Sequence, residues 1–311
     1  MSTSIFDRFA AAMEAAGVVP PDTIHADGQL HRFSPTGRRS DNAGWYCLHG
    51  DNFPAGVFGC WRTGLVQTWT DKHANALSQA ERETMRQRIK DAKAQRDADL
   101  RMRQQRAAAT ASAMWNAGKP ASSTHSYLLS KGVKPYGLRA DLGWLMVPAY
   151  GADGQLTSLQ TIAQDGVKRF LPGGRLQGSF CPIGDFTQAS AIAICEGWAT
   201  GSSIHEATGL PVAVAFFAGN LLPVVQALHR KCPGAALVLA ADDDYRVEGN
   251  PGLTAARAAA LSVGAQVVAP QFPAERPRKA TDFNDLHSLA GAGAVRACFA
   301  EVLEGLNHED Q

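Results

Sequence analysis

The pattern of hydrophobic positions changes along the first part of the chain, and each change predicts a different structure. Residues 1–17 place apolar side chains at helical spacing on one face, which predicts a short amphipathic helix. Residues 24–70 carry aromatic-rich runs separated by turn sequences, a pattern typical of a small β-rich domain. Residues 78–117 contain no Gly or Pro. We therefore expect one long helix there, with Ser78 as N-cap and Glu81 completing a capping box.

The pattern after residue 119 predicts two kinds of sheet. Antiparallel strands are expected in an α+β segment, near 142–148, 156–163 and 169–171. From 189 to about 290, strands and helices alternate. The strands are expected near 191–195, 211–217, 236–241 and 265–269, and the helices near 199–208, 221–231 and 252–263. This βαβαβαβ order predicts an α/β fold with a parallel sheet that helices cover on both faces.

These patterns divide the chain into five segments. They are a small β-rich domain (1–75), a long basic helical linker (76–118), an α+β segment (119–188), an α/β domain (189–290) and a carboxyl-terminal helix and tail (291–311).

Carboxylates follow two of the predicted parallel strands. Glu196 comes directly after the strand 191–195, and Asp242 and Asp244 come after the strand 236–241. Parallel sheets build their sites at the carboxyl ends of the strands. Crowded carboxylates repel one another unless a cation lies among them, and oxygen ligands favour Mg²⁺ or Mn²⁺. The pattern predicts metal-assisted phosphoryl chemistry; the alternative is that the aspartates only cap the following helix.

Composition excludes several classes of protein. The 311 residues are 45% hydrophobic and 19% charged, as in ordinary globular proteins. No apolar run approaches the ~20 residues that span a bilayer, and the amino terminus lacks the layout of a signal peptide. The six cysteines form no CxxC pair. We therefore expect reduced thiols, a cytoplasmic location and no membrane contact.

Charge is unevenly distributed along the chain. Residues 191–311 carry 8 Lys and Arg against 13 Asp and Glu, whereas residues 1–190 carry 22 against 16. A basic half joined to an acidic half fits a surface that holds a polyanion beside a metal site. Within 78–106 there are 9 basic and 5 acidic residues, which indicates either a solvated linker or an arm that contacts nucleic acid.

The run Cys195 to Gly201 (CEGWATG) and the Asp242-x-Asp244 pair resemble the two acidic motifs of proteins with the Toprim fold. This fold is shared by DnaG-type primases, topoisomerases, the RecR family and OLD-type nucleases, and the chain is most similar to the stand-alone primases of plasmids and phages. The resemblance implies that Glu196, Asp242 and Asp244 are the catalytic metal ligands. It leaves Asp243 as a further candidate ligand.

A basic motif precedes the acidic ones. The run Gln160 to Leu171 (QTIAQDGVKRFL) resembles the strand-turn-strand of DnaG-type catalytic cores that faces template or nucleotide. The cations that would guide template and nucleotide are Lys168, Arg169, Arg175, Lys131, Lys134 and Arg139. The alternative is a surface hairpin with solvated cations.

A second acidic run, Lys279 to Leu286 (KATDFNDL), resembles the motif that closes the Toprim region of primases. Asp282 and Asp285 are expected to support the metal site or, alternatively, to cap the helix 285–290. Thr200 stands where DnaG-type enzymes usually have a second acidic residue. The supporting residues are Gly197, Thr200, Asn220, Asp282, Asn284 and Asp285.

Zinc is not expected in the amino-terminal domain. The candidate ligands are His31, Cys47, His49 and Cys60, and their spacing suits a tetrahedral site poorly. A metal-free β domain is expected instead. Its aromatic residues would form the core or stack on single-stranded bases: Trp45, Tyr46, Phe53, Phe58, Trp61 and Trp69.

The resemblance implies a DNA primase, a nucleotidyltransferase that synthesises short RNA primers on single-stranded DNA from ribonucleoside triphosphates. Its place would be the replication of a plasmid, a phage or another mobile element. No GxxxxGK[ST] motif occurs in the sequence, so we expect the replicative helicase to be another chain. The alternatives are a Toprim nuclease and a catalytically inactive Toprim module that binds DNA or a replication partner.

Overall fold

The computed structural model describes residues 4–38, 41–50, 54–71 and 79–309. The chain divides into two compact units, Met1–Ala98 and Asp99–Gln311. The division falls inside the long helix, whereas the sequence pattern predicts the whole helix as a separate linker. Within the described residues no helix is both long and apolar enough to cross a membrane.

The first unit is a four-stranded antiparallel sheet with one helix. Its elements are α1 (Ile5–Ala15), β1 (His31–Phe33), β2 (Gly44–His49), β3 (Ala55–Cys60) and β4 (Leu65–Thr70), and the strands lie in chain order. Ser4 and Asp7 form a capping box that begins α1. The small β-rich domain predicted from the turn-rich sequence is therefore present.

Aromatic side chains form most of the core of the first unit. Tyr46 and Phe58 are buried around Phe9 of α1, and Trp69 packs against them. Trp61 does not belong to this core, because its side chain is 61% exposed, and the alternative that it stacks on single-stranded bases stays a prediction. Trp45 is half-buried and its ring lies 5.4 Å from that of Trp61. Phe53 lies outside the described residues.

The long helix α2 (Gln79–Ala117) has the predicted length, and its predicted N-cap Ser78 lies outside the described residues. In the second unit it leads into an antiparallel sheet with strand order β5-β6-β7-β8-β9. The elements are β5 (Lys119–Pro120), α3 (Ser126–Lys131), β6 (Arg139–Asp141), β7 (Trp144–Tyr150), β8 (Leu156–Ile162) and β9 (Lys168–Phe170). Ala111 of α2 is buried against Met146 and Leu159 of this sheet.

The alternating part of the chain forms a second five-stranded sheet with strand order β10-β12-β11-β13-β14. The strands are β10 (Cys181–Ile183), β11 (Ala191–Cys195), β12 (Val212–Val214), β13 (Ala236–Ala240) and β14 (Gln266–Val268). The helices are α4 (Trp198–Thr208), α5 (Leu221–Lys231), α6 (Pro251–Leu261), α7 (Phe283–Cys298) and α8 (Ala300–Glu309), with a short 3-10 helix at Ala218–Asn220. β11 to β14 are parallel, and β10 is an antiparallel edge strand that the sequence pattern missed.

Helices cover both faces of this parallel sheet, as the alternation predicts. Side chains of β11 alternate between two apolar layers, with Ala193 in one and Ile194 in the other. The first layer includes Trp198 of α4 and Phe283 of α7, and the second includes Val224 of α5. Because both faces are closed, polar chemistry is left to the ends of the strands.

Asn220 fixes the loop that connects the two sheets of the second unit. It is buried, its amide donates to the carbonyl oxygens of Ser179 and Ala215 at 2.9 Å, and its Oδ1 accepts from the N–H of Gly178 at 2.8 Å. These bonds fix the loop before β10 against the end of β12. The predicted supporting residue Asn220 thus has a clear structural function.

Replacing this amide should destabilise the second unit. Asn220→Ala leaves two buried carbonyl oxygens and the partly buried N–H of Gly178 without this partner, so we expect the free energy of unfolding to fall by at least about 2 kcal/mol. Urea unfolding followed by far-ultraviolet circular dichroism measures the change. His229→Ala on the exposed face of α5 is the matched control and should change it by less than about 0.5 kcal/mol. Equal stability of the two variants would contradict this account.

Candidate active site

The predicted acidic residues lie at one edge of the parallel sheet. Glu196 directly follows β11, and Asp242 follows β13 after one residue. The two strands are neighbours in parallel register, with Ile194 opposite Leu239. The carboxyl ends of the two strands are therefore adjacent. They bring together two side chains that are about 46 residues apart in the sequence.

Burial and mutual repulsion act on these two carboxyl groups. Glu196 Oε1 and Asp242 Oδ1 are buried without a hydrogen-bond partner. Burial, with the charges of Glu196, Asp282 and Asp244, raises the pKa of Asp242 to about 8. Burial and the charge of Asp244 raise the pKa of Glu196 to about 7, although a hydrogen bond from the N–H of Ala218 lowers it. Metal-free carboxylates at this edge are electrostatically strained.

Asp282 adds a further carboxyl group from the start of α7. It is the N-cap of that helix and forms a capping box with Asp285, so the predicted capping function is confirmed for this pair. Burial and the charge of Asp285 raise the pKa of Asp282, whereas Lys131 and the hydroxyl of Thr200 lower it. Thr200 therefore supports an acidic neighbour from a position where DnaG-type enzymes usually have an acid.

Asp243 faces a different environment from its two neighbours. Its Oδ2 accepts a hydrogen bond from Arg276 at 2.5 Å, and its Oδ1 accepts one from Asn250 at 2.7 Å. Arg276 also donates to the carbonyl oxygens of Asp243 and Ala280, both at 2.8 Å, and its guanidinium lies 3.9 Å from the ring centroid of Tyr245. Both carboxylate oxygens of Asp243 are thus engaged by protein groups.

Asp244 contacts the beginning of α6 and also acts on Glu196, and its function as a metal ligand stays a prediction. Its Oδ2 accepts from the N–H of Gly252 at 3.1 Å, close to the beginning of α6, and its charge raises the pKa of Glu196. Gly252 permits this close approach. A Cβ atom at that position would lie 2.8 Å from the carbonyl oxygen of Asp242 and 3.0 Å from Asp244 Oδ2.

Two of the six predicted cations influence the acidic edge. Lys168 of β9 exposes much of its side chain, yet desolvation of its ammonium and the charge of Lys131 lower its pKa, while Asp282 and Asp242 raise it. Its Nζ lies 5.9 Å from the ring centroid of Tyr127. Lys131, at the end of α3, acts on both Lys168 and Asp282.

The other four predicted cations have neighbours elsewhere. The guanidinium of Arg139 lies over the ring of Trp115 at 4.9 Å, and that of Arg169 lies 6.0 Å from the ring centroid of Trp144. Lys134 is exposed, and Arg175 lines a cavity of about 340 Å³ against the carboxyl-terminal half of α2. Of this set, Lys131 lowers the pKa of Asp282, and the charges of Asp282 and Asp242 act on the pKa of Lys168.

The other two predicted supporting residues have local structural contacts. Buried Asn284 donates to the carbonyl oxygen of Lys131 at 2.8 Å and to Ser203 Oγ at 3.0 Å, which ties α7 to α3 and α4. Gly197 is the N-cap of α4 and has an extended backbone. Both hold elements that carry the site.

A segment at the end of β12 was not recognised from the sequence. The strand predicted to reach residue 217 ends at Val214, because Phe216 has a φ of 73°, in the left-handed region. A non-glycine residue there is strained by about 1–3 kcal/mol. The turn that follows brings the N–H of Ala218 to Glu196 and leaves Phe217 41% exposed. The double Phe before Ala-Gly was the only signal in the sequence.

The donor set fits a divalent cation held together with substrate. Within the part of the chain that the structure describes, no three His, Cys, Asp or Glu side chains lie close enough to form a metal cage. Mg²⁺ in phosphoryl-transfer sites usually has one or two carboxylate ligands and takes its others from water and phosphate. The unpartnered oxygens of Glu196 and Asp242 match that need. In the first unit Cys47 Sγ lies 3.7 Å from His49 Nε2, and the expectation about zinc stays a prediction.

Comparison with known proteins agrees with this architecture. Residues 191–293 match a family model described as the Toprim domain. This segment is similar to the Toprim domain. The predicted fold of 189–290 and the predicted family resemblance are thereby confirmed.

Two curated relatives extend the likeness beyond the Toprim domain. A DNA primase TraC of Escherichia coli is 35% identical over 283 residues, which are 86% of this chain and 26% of that protein. A second Escherichia coli protein of that name is 32% identical over 286 residues, 86% of this chain and 20% of the relative. The chain thus spans about a quarter or less of their length. A solved DnaG primase catalytic domain bound to ssDNA has 14% identity and a TM-score of 0.43, over 66% of this chain and 80% of that chain.

The raised pKa values predict how stability depends on pH. Folding raises the pKa of Glu196 from 4.5 to about 7 and that of Asp242 from 3.8 to about 8. The folded state therefore binds protons that the unfolded chain has already lost. With a chelator present, this part of the free energy of unfolding should fall as pH rises from about 4 to about 8.

The variant Asp242→Asn isolates this effect. It should be more stable than the parent at pH 8 and show a flatter pH profile, and a change of one in pKa corresponds to about 1.4 kcal/mol. Adding Mg²⁺ at pH 8 should stabilise the parent more than the variant. Urea unfolding at several pH values measures both. Parallel profiles of parent and variant would contradict the assignment of strain to Asp242.

The ion pair of Arg276 with Asp243 should contribute measurably to stability. We expect a double-mutant cycle of Arg276→Ala and Asp243→Asn to give a coupling energy above about 1 kcal/mol, since both side chains are mostly buried. Thermal unfolding of the four proteins measures it. Exposed Arg246, on the same loop, is the control: the cycle of Arg246→Ala with Asp243→Asn should give a coupling near zero. Equal couplings would exclude a special function for Arg276.

Proposed function

We propose that this chain is the catalytic part of a DNA primase, which makes short RNA primers on single-stranded DNA by metal-dependent nucleotidyl transfer. The observation that carries the proposal is the pair of buried, unpartnered carboxylate oxygens of Glu196 and Asp242, with the cations Lys131 and Lys168 acting on the same edge. The similarity to DNA primase TraC over 86% of the chain supports it.

Glu196, Asp242 and Asp244 are the residues proposed to hold Mg²⁺ or Mn²⁺, with Glu196 and Asp242 as the direct ligands and Asp244 as the charge beside Glu196. When bound, such an ion would neutralise the triphosphate and lower the pKa of the primer 3′-hydroxyl. Asp243 is left out of the proposed set because Arg276 and Asn250 engage its two oxygens. The carboxyl groups of Glu196 and Asp242 must lose their protons to serve as ligands, so we expect activity to rise with pH and the midpoint of the rise to move to lower pH as the Mg²⁺ concentration is raised.

Lys131 and Lys168 are the proposed contacts for nucleotide phosphates. The charge of Lys131 lowers the pKa of Asp282, and the charges of Asp282 and Asp242 raise the pKa of Lys168. A phosphate between such cations and the carboxylates would be held on one side by lysine and on the other by the ion. Asp285 and Thr200 bond to Asp282 and hold it in place beside the proposed phosphate position.

The single-stranded template is the proposed ligand of the basic face of α2. Arg103 and Arg106 line a cavity of about 350 Å³ with the loop after β9, and Arg101 lines the neighbouring one with Arg175. This row of arginines favours the nucleic-acid arm over the solvated linker for this half of the helix. Lys134, Arg139 and Arg169 stay predictions as template contacts, as do a cytoplasmic location and a helicase supplied by another chain.

A primer-synthesis assay tests the proposal. The purified chain is incubated with random single-stranded DNA, labelled ribonucleoside triphosphates and Mg²⁺ or Mn²⁺, and the products are sized on a gel. Glu196→Gln and Asp242→Asn should each lower the rate at least about 100-fold, because metal stabilisation of the transition state is worth several kcal/mol. Asp185→Asn, an exposed carboxylate before β11, is the matched control and should keep full activity.

The same reagents separate the alternatives. Cleavage of the DNA by metal without nucleotides, lost in Asp242→Asn, would identify a nuclease instead. Absence of products together with no Mg²⁺ or Mn²⁺ uptake in calorimetry would indicate an inactive module that binds DNA or a partner. Either result overturns the primase proposal.

A further inference from the structure

The exposed ring of Phe217 stands out in the second unit because nothing described covers it. Phe217 is 41% exposed, and its ring centroid lies 6.5 Å from that of Phe170 in an edge arrangement. Other exposed rings of this unit have an arginine over them. The guanidinium of Arg276 lies 3.9 Å from the ring centroid of Tyr245, and that of Arg169 lies 6.0 Å from the ring centroid of Trp144. Among the described residues, no such cation contacts Phe217.

The backbone holds this ring next to the acidic edge. Phe216 adopts a φ of 73°, a conformation that glycine would adopt without strain. Its ring packs against the core and lies 5.5 Å from the ring centroid of Phe170. The resulting turn places Phe217 beside Ala218, whose N–H bonds to Glu196. The strained backbone of Phe216 thereby fixes the ring of Phe217 next in sequence to Ala218, which contacts the proposed metal ligand Glu196.

Strand β9 contributes an aromatic ring next to Phe217, together with a cation. Phe170 and Lys168 are two residues apart on that strand, so their side chains project to the same face. Lys168 is influenced by Asp242 and Asp282. Aromatic rings, a cation and the carboxylates are therefore gathered at one place. A nucleotide offers the matching parts, since its phosphates suit the cation and metal and its base suits an aromatic ring.

We propose that Phe217, held by Phe216 and Phe170, is a stacking surface for a nucleobase whose phosphate lies at the acidic edge. The proposal rests on the proposed function, because it assigns the base of a nucleotide handled by that site. The base belongs either to the incoming ribonucleoside triphosphate or to the single-stranded DNA. Stacking does not distinguish the four bases strongly, since each has a π-face.

Photocrosslinking tests the position of the base without relying on activity. The full chain is irradiated with 5-iodouridine triphosphate in one arm and with single-stranded DNA containing 5-iododeoxyuridine in the other. A crosslink mapped by mass spectrometry to Phe217 or Phe170 supports stacking, and the arm in which it forms identifies the source of the base. Crosslinks confined to other peptides in both arms would overturn the proposal.

Substitutions test whether the ring contributes to binding. Phe217→Ala and Phe217→Leu should weaken binding of the base between about 5-fold and about 150-fold, the range that corresponds to one stacked base. Phe217→Trp should retain it, because the indole ring also stacks. The matched control is Leu222→Ala on α5, where the side chain is also 41% exposed. It should show no change.

The measured constant that changes in the Phe217 variants also identifies whether the stacked base belongs to the nucleotide or to the DNA. A raised KM for nucleotides with kcat and DNA affinity kept indicates the base of the triphosphate, and weaker DNA binding by fluorescence anisotropy indicates the base of the template. If Phe217→Ala changes neither by more than twofold, the stacking proposal is wrong even where primers are made. Absence of primers from the unaltered chain would count against the proposed function alone, and crosslinking and anisotropy would then decide the stacking.

Discussion

Repulsion among buried carboxylates is the constraint around which the second unit is organised. The apolar layers fix the strands, and the strands bring Glu196 and Asp242 together at one edge. Separate groups moderate the resulting strain: the N–H of Ala218 at Glu196, and Lys131 with Thr200 at Asp282. None of them neutralises Asp242, whose Oδ1 has no partner. A buried carboxylate without a partner is stabilised when a cation binds beside it.

Most of the parallel sheet was predictable from the sequence, since buried strands read as continuous apolar runs between helical segments. The failures have local causes. β10 is only three residues long and contains Pro182, which is tolerated because β10 is an edge strand. The predicted strand 211–217 ran too far because an apolar pattern does not reveal that the backbone of Phe216 turns into the left-handed region.

The acidic residues of the site were predictable for the same reason as the strands that carry them, but their partners were not. Arg276 meets Asp243 across 33 residues of sequence through a loop without periodic pattern. The six candidate cations looked alike in the sequence, yet Lys131 and Lys168 are the two that are electrostatically coupled to Asp282. The reach of a long side chain depends on how the two sheets are placed together, and that depends on tertiary contacts without a periodic signal, such as the bonds of Asn220 to the loop that connects the sheets.

Gly252 allows the first turn of α6 to lie directly against the acidic residues of the site, although it has no side chain. It lies against the main-chain oxygen of Asp242 and the carboxylate of Asp244 at distances that exclude even a methyl group. Any replacement there must displace either the first turn of α6 or the loop of aspartates. The position of the acidic residues therefore decides which side chains residue 252 can carry. We expect substitutions of Gly252 to be tolerated as poorly as substitutions in the active site itself, although glycine has no chemical function there.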